Sequence, residues 1–512
     1  MKNQAILTID AGTTFCKALV WDSYGAILAQ DQRMNPPIYP RPGWAEQKPQ
    51  LWWENTRHTA RAALQEAFAK NRDLHIAAVS LTSCRDIVIP INQRGVPMAN
   101  AILWMDTRAK KEAEEIAAQT GTAVVHRHTG MIPGPTFPAC KILWLKKHQP
   151  EQVKNCAYFL QPKDYIFFRL TGDILTDYSM ASRTMLFDQT TYRWWDVIFD
   201  LLEIKTERLP ELADAVSSRP LQSDVASQLG LPPETPVILG GGDRQCEALG
   251  ASVSENRAMD STGTGTNVSL AGLQSGTPYH PKIVRSIHVI PDHLLMEVTI
   301  NTSGLAMEYF RELFRGDKDY FEQIETQAAD VPPGSNGLIV LPFFMGARSV
   351  RWNPRAAGAL FGLTFAHKDK EIVRALMEGI AFEEKTALEV FREIGFAPIE
   401  IRGLGGGSRS SLWNRIKADV TGIRVVTLNV SDVASFGAMA LGAAATGMAP
   451  DPATAVRRLS KIKNEYVPDP GSTERYRDIF QLYTDLYSAN EKMFDRLENV
   501  KNSGPRKQGV QI

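Results

Sequence analysis

Cysteine is scarce. There are five in 512 residues, at positions 16, 84, 140, 156 and 246. They are odd in number, widely spaced and never form a CxxC pair, so neither a disulfide framework nor a zinc site is indicated. Net charge is missing too: 57 Lys+Arg stand against 57 Asp+Glu. Binders of bulk polyanions usually carry a clear basic excess, so nucleic acid is not an expected partner. No run of five like charges marks an interaction tail. The longest small and apolar run, residues 436–449, is rich in Gly and Ala and too short to cross a bilayer comfortably. The opening MKNQAILTIDAG has too short an apolar stretch for a signal peptide. These absences predict a soluble, reduced, cytoplasmic protein with no membrane partner.

Two phosphate-binding signatures are also absent. No GxxxxGK[ST] loop occurs, and GTGTNV lacks the last glycine of GxGxxG, which disfavours a P-loop ATPase and a Rossmann dehydrogenase. What remains is ordinary globular composition, 44% hydrophobic and 22% charged. At roughly 150 residues per domain, the length alone suggests about three domains.

Along the chain, QAILTID and FCKALVWD read as two strands of a hairpin around a Gly-Thr turn. A helix is predicted over about 50–70, a buried strand at HIAAVSLTS and another at PVILGGGD. His126 and His128 alternate at strand spacing with no nearby acid, and read as surface or core residues rather than metal ligands. Further helices are predicted at 303–315, 369–395, 433–447 and 473–497, and the tail from 501 is polar and frayed. Strands alternating with helices through Gly-rich turns make an α/β protein.

The clearest feature is a repetition. LTIDAGTTFCKALV and AMDSTGTGTNVSLA both read strand, Asp, Gly/Thr-rich turn, strand, about 250 residues apart. Two related halves are therefore predicted, residues 1–248 and 249–495, followed by a polar tail at 496–512. Four Gly-rich turns follow apolar strands: DAGTT (10–14), GGGD (240–243), STGTGT (261–266) and GLGGGS (403–408). Glycine lets backbone approach a ligand, and successive N–H groups form an anion nest. One such turn is merely a tight turn; four, two of them with Asp, point to phosphate.

The ordered set DAGTT, GWAEQKPQLWW (43–53), LWMDTR (103–108), TDYSMAS (176–182), GGGDRQCEALGA (240–251), GTGT (263–266), FGLTFAH…RALMEGIAF (361–382) and GLGGGSRSSLWNRIKADVTG (403–422) resembles the FGGY carbohydrate kinases over about residues 4–490. The resemblance implies two actin-like, ribonuclease-H-like α/β domains with ATP and sugar in a cleft between them. It makes Asp243 the catalytic base, with helix N-capping as the compatible bland role. It gives Asp10 and Asp243 to Mg²⁺, and Gly12, Thr13, Thr14 and Lys17 to the phosphates. In the second half, Gly263, Thr264, Gly265, Gly304, Glu308, Gly406, Gly407 and Ser411 match nucleotide-contact positions. There Glu308 replaces a glutamine and Ser411 an asparagine. The alternative for Glu308 is a solvated helix face.

On the substrate side the resemblance implies Arg85, Asp86, Trp104, Asp106, Asp243 and Arg244, with buried core as the alternative for Trp104. Arg85-Asp86 matches the Arg-Glu pair of glycerol kinases, which autoinducer-2 kinases share. Xylulokinases carry Met-His there, yet GWAEQKP, QPKDYIFFRLTG (161–172) and GGGD look closer to xylulokinases. FFMGARSVRW (343–352) departs from the family's G-E-R-x-P at Ala347 and Val350. Trp52, Trp53, Trp194 and Trp195 read as packing. The implied reaction is ATP-dependent phosphorylation of a small sugar or polyol. A ketopentose such as D-xylulose comes first, then glycerol, erythritol or an autoinducer-2-type sugar. A non-catalytic nucleotide-binding module is the reading of another class. The resemblance is also compatible with a homodimer.

Overall fold

The computed structural model describes residues 3–314 and 318–503. The first sheet places its strands in the order Ser218–Pro220, Pro236–Gly242, His75–Ser83, Gln4–Ala11, Phe15–Asp22, Ile27–Met34. The opening three strands are an antiparallel meander. His75–Ser83 then pairs parallel with Gln4–Ala11, and Pro236–Gly242 parallel with His75–Ser83. Six strands of a second, seven-stranded sheet run His293–Ile300, Thr266–Leu273, Arg257–Thr262, Glu400–Leu404, Arg424–Leu428, Ile462–Tyr466. Again a hairpin is followed by two parallel neighbours and an antiparallel edge. The repeated motif seen in the sequence is thus a repeated strand order.

The chain forms two compact units that are discontinuous in sequence. One holds 1–253, 271–296 and 430–461; the other holds 254–270, 297–429 and 462–512. The sequence suggests a single boundary after 248, whereas the observed division returns 430–461 to the first unit. The reason is the helix Val433–Ala445, which packs with Ile6, Leu19, Ala78 and Ile238 of the first sheet. Its Gly and Ala content allows that. A Cβ on Gly437 would lie 1.9 Å from the carbonyl oxygen of Cys246. The opposite face of the same sheet is covered by Pro49–Lys70, which buries Trp52, Trp53, Ala60 and Leu64, and by Pro162–Thr171. A fully buried side chain such as Trp52 or Leu441 contributes about 1.5–3 kcal/mol.

The predicted helices appear as Pro49–Lys70, Gly304–Leu313, Asp369–Glu393, Val433–Ala445 and Pro470–Ser503. Position 315 and the tail from 504 lie outside the described residues. Among the described residues no helix is long and apolar enough to cross a membrane.

His126 and His128 correct an expectation, since they stand in the helix Thr122–Thr129 rather than a strand. The alternation His-Arg-His is one helical turn read as period two. His126 is buried between the carbonyl of Ile283 (2.8 Å) and the Tyr279 hydroxyl (3.1 Å), and burial pushes its pKa down to about 4. His128 has an acid beside it after all. Its Nδ1 is 3.1 Å from Asp188, and its ring stacks on Trp195.

Candidate active site

The parallel register brings three of the candidate residues to one sheet edge. Asp10 pairs with Thr82, and Gly242 with Ser83, so Asp10, Arg85 and Asp243 emerge at the carboxyl ends of three adjacent strands. Such ends are the usual ligand edge of parallel sheets. Asp243 is the first residue of the helix Asp243–Gly250, with Gly242 as the extended N-cap residue. Its Oδ1 accepts the N–H of Arg244 at 2.7 Å and lies 3.1 Å from Arg85 Nε. The carboxylate keeps 37% of its side-chain surface exposed, while the guanidinium is nearly covered.

Two of the three glycines explain why this pair can form. Gly240 has φ +69°, and a Cβ there would lie 1.6 Å from the carbonyl oxygen of Leu81. The Arg85 side chain lies across Gly242, where a Cβ would meet its Cδ at 2.7 Å. Arg85 is held further by Gln245, whose amide donates to Ser286.

Asp86 behaves differently from its neighbour. At φ +64° its backbone turns the carboxylate inward, where Arg183 donates Nε (3.0 Å) and Nη2 (2.7 Å) to its two oxygens. Its N–H donates to Gln161, and its carbonyl accepts from the fully buried Lys141. Burial pulls the Lys141 ammonium down to about 7, against the attraction of Asp86 and Asp106. The structure therefore separates the Arg85-Asp86 pair expected to face substrate together: one side chain meets Asp243, the other is an internal anchor.

Asp106 is likewise internal, its oxygens taken by Arg108 and the N–H of Ala45. The cause is local, because Arg108 sits 3.7 Å over the Trp44 ring and folds back on the Asp two residues earlier. Trp104 is 43% exposed and its indole donates to Thr13 Oγ1 at 3.3 Å. Arg244 pairs with Glu247 at 2.7 Å.

In the first Gly-Thr turn, side chains engage the carbonyls. Trp52 and Asn35 donate to Gly12, Gln47 donates to Thr13, and the Asn35 N–H donates to Thr14. Trp52, read as packing, is thus also a brace. Asp10 faces Lys17 across the hairpin. Its carboxylate accepts no hydrogen bond among the described residues. Burial first, then Asp432, pushes it up to about 8, with Lys17 opposing. Lys17 itself pairs with Asp432 at 2.8 Å. Asp432 caps the helix Val433–Ala445 through the N–H of Ser435. Burial raises this carboxyl, but Lys17 and the cap bonds outweigh it and hold it below the usual range.

In the second unit the Gly263-Thr264-Gly265 turn rests on a helix start. The N–H groups of Gly304 and Leu305 donate to Gly263 and Thr264 at 2.9 and 3.1 Å. A Cβ on Gly304 would lie 2.3 Å from the Gly263 oxygen. Gly406 and Gly407 follow the strand Glu400–Leu404, and a Cβ on Gly407 would overlap Thr262. Ser411 opens the helix Ser411–Thr421 with its hydroxyl 3.1 Å from that of Tyr466. Glu308 is half exposed and pairs with Arg311 one turn on, which lowers its pKa.

Sequence reasoning missed Arg183, Lys141, Gln245 and Asp432. The motif TDYSMAS ends one residue short of Arg183, and the helix prediction at 433 put no weight on the Asp before it, an ordinary N-cap signal.

Two sheets that share a six-strand plan, each with a Gly-Thr turn closing its first hairpin, define a two-domain α/β protein of the actin-like, ribonuclease-H-like class. The chain belongs to the FGGY family of carbohydrate kinases. Residues 5–250 match the family's N-terminal domain and 261–446 its C-terminal domain. It is 28% identical over 504 residues to the xylulose kinase of Bacillus subtilis (strain 168), covering 97% of this chain and 99% of that one. Two solved structures from Lactobacillus acidophilus, a ligand-bound xylulose kinase and a gluconate kinase, each superpose with a TM-score of 0.90 at 26% identity. They cover 96% of this chain and 100% and 99% of theirs. The protein is thus a sugar kinase, a phosphotransferase that takes ATP as donor and a small sugar as acceptor.

Proposed function

We propose that the acceptor is a ketopentose, D-xylulose first among them, and that Asp243 takes the proton from the hydroxyl that attacks the γ-phosphate. The observation that carries the reading is the exposed Asp243 carboxylate held by Arg85 at the strand ends. A base must reach the acceptor hydroxyl, and phosphoryl transfer otherwise needs positioning and charge stabilisation. Arg85 fixes the carboxylate and, with Trp104 and Arg244, shapes the acceptor side. Asp86 and Asp106 act from behind by holding the backbone. The likeness to xylulose kinase over nearly the whole chain supports the choice of sugar. A polyol such as glycerol is the second reading, favoured by the retained Arg85.

Mg²⁺ fits the first hairpin. Asp10 offers a carboxylate without a hydrogen bond among like-charged neighbours, a setting that a divalent cation relieves. Among the described residues no three His, Cys, Asp or Glu side chains cluster as a metal cage. Mg²⁺ generally keeps several waters and is held by one or two carboxylates and substrate phosphates. Asp10 and Asp243 would hold it, and it would supply charge neutralisation at the phosphates. Lys17, kept in place by Asp432, adds a fixed positive charge, and Thr13 and Thr14 add donors. In the second unit, Gly263–Gly265, Gly304, Gly406, Gly407 and Ser411 bind the nucleotide. The cytoplasm is the proposed compartment, in keeping with five free, buried thiols.

The acceptor is tested by kcat/KM for D-xylulose, glycerol, erythritol and D-gluconate, read as ADP formation. D-xylulose is expected to lead by about tenfold or more; a lead for any other acceptor replaces the ketopentose assignment. The nucleotide turn is tested by Gly304→Ala. The added methyl must push the Gly263 carbonyl aside, a shift costing about 1–3 kcal/mol. KM for ATP is expected to rise about tenfold with KM for sugar unchanged. An unchanged KM for ATP in the folded variant removes this turn from the nucleotide site.

A further inference from the structure

Behind the Gly263–Gly265 turn lies a fully buried charge cluster that the reaction scheme above does not use. Lys417, on the helix Ser411–Thr421, donates to Asp260 on the strand Arg257–Thr262 and lies 3.0 Å from Glu384 on the helix Asp369–Glu393. None of the three side chains exceeds 2% exposure. Burial and Asp260 push the Glu384 carboxyl up to about 8, against the pull of Lys417. An ammonium so placed is expensive to bury unless it is paired and its remaining protons find acceptors.

The remaining proton of Lys417 points to the turn. Its Nζ donates at 3.0 Å to Thr262 Oγ1, which itself donates to Asp260 at 2.6 Å. Thr262 Oγ1 lies 2.8 Å from Thr266 Oγ1, and Thr266 Oγ1 donates at 2.8 Å to Ser303. Thr262 and Thr266 are the residues on either side of Gly263–Gly265, and the Ser303 N–H donates to Thr264. The second Gly-rich turn closes on the same point, since a Cβ on Gly405 or Gly407 would lie 2.4 Å from Thr262.

We propose that Lys417 is a positioning residue for nucleotide binding: with Asp260 and Glu384 it fixes Thr262, and through Thr262 it sets both arms of one Gly-rich turn, the start of the helix Gly304–Leu313 and the packing of the second turn. This rests on the reading that these turns take the nucleotide. Lys417 does not touch ATP. It removes the freedom of the backbone that does, so its loss weakens binding without altering the acceptor side.

The test uses the full-length enzyme with Lys417→Met, which fills the space and removes the charge, and Thr262→Val, which keeps the buried charges and cuts the hydroxyl link. In Lys417→Met, KM for ATP is expected to rise about 10- to 100-fold, as when outer partners of a binding group are lost. KM for the sugar should be unchanged. Thr262→Val should move KM for ATP in the same direction by less, and it answers the question if Lys417→Met fails to fold. Wild-type KM for ATP in the folded variants, or equal rises in both KM values, overturns the proposal. Gly304→Ala separates the two levels. If it raises KM for ATP while Lys417→Met and Thr262→Val do not, only the network fails. If Gly304→Ala is also silent, the nucleotide reading of the turn fails with it.

Discussion

Asp243→Asn is expected to lower kcat about 10²- to 10⁴-fold, the range lost with a general base, while KM for sugar stays near wild type. The substitution is nearly isosteric. Asn retains an oxygen for the N–H of Arg244 and keeps the helix start at Asp243–Gly250 intact. What it lacks is a carboxylate able to accept the acceptor proton. The contrast with a purely structural role is therefore sharp. If Asp243 served only as the opening residue of a helix, its replacement would change stability by about 1 kcal/mol and leave kcat within a small factor. Steady-state kinetics on a variant with unaltered circular dichroism separates the two. Near-full turnover removes Asp243 from the chemistry.

The second large effect is on stability. Arg183→Met leaves the Asp86 carboxylate buried without its bidentate partner, because both side chains are more than nine-tenths covered. Removing one member of a buried pair costs about 3–5 kcal/mol. For a unit of this size that corresponds to a fall on the order of 10 °C in the thermal midpoint. Asp86 is also the residue that turns the chain at φ +64°, so Arg85 should lose its register with Asp243 and kcat/KM should fall as well. The double variant Asp86→Asn with Arg183→Met removes both charges, keeps a residue type that tolerates the left-handed backbone, and is expected to recover part of the lost midpoint. Thermal scans of the two single variants and the double variant measure this directly. Simple addition of the single effects means that the two side chains are not coupled.

The fold was legible where its signal is local. The two hairpins with their Asp and Gly-Thr turns are written in contiguous residues, and the matching strand orders of the two sheets follow from them. The GGGD segment was legible for the same reason, since close backbone approach leaves a mark in composition. Distant pairings leave none. Asp86 reads as a second substrate ligand until Arg183, 97 positions away, is seen to hold it. Lys17 reads as a phosphate contact, and only the fold places Asp432, 415 positions away, against it. The same holds for the units. Nothing in the Gly- and Ala-rich segment at 433–445 says which sheet it covers, so a single boundary is the natural reading. The short helix Thr122–Thr129 was lost to period two because eight residues hold barely two turns of helical pattern.

The central claim is that ATP turnover by this chain is coupled to a sugar acceptor. The measurement that tests it most directly is ADP release and sugar-phosphate formation by the purified protein with Mg²⁺ and ATP, with and without D-xylulose and the other acceptors. The expected result is little ADP without acceptor, then a large acceptor-dependent rate with one sugar phosphate formed per ADP. ATP binding with ADP release that no acceptor changes would contradict it, and would leave a nucleotide-binding module in place of a kinase.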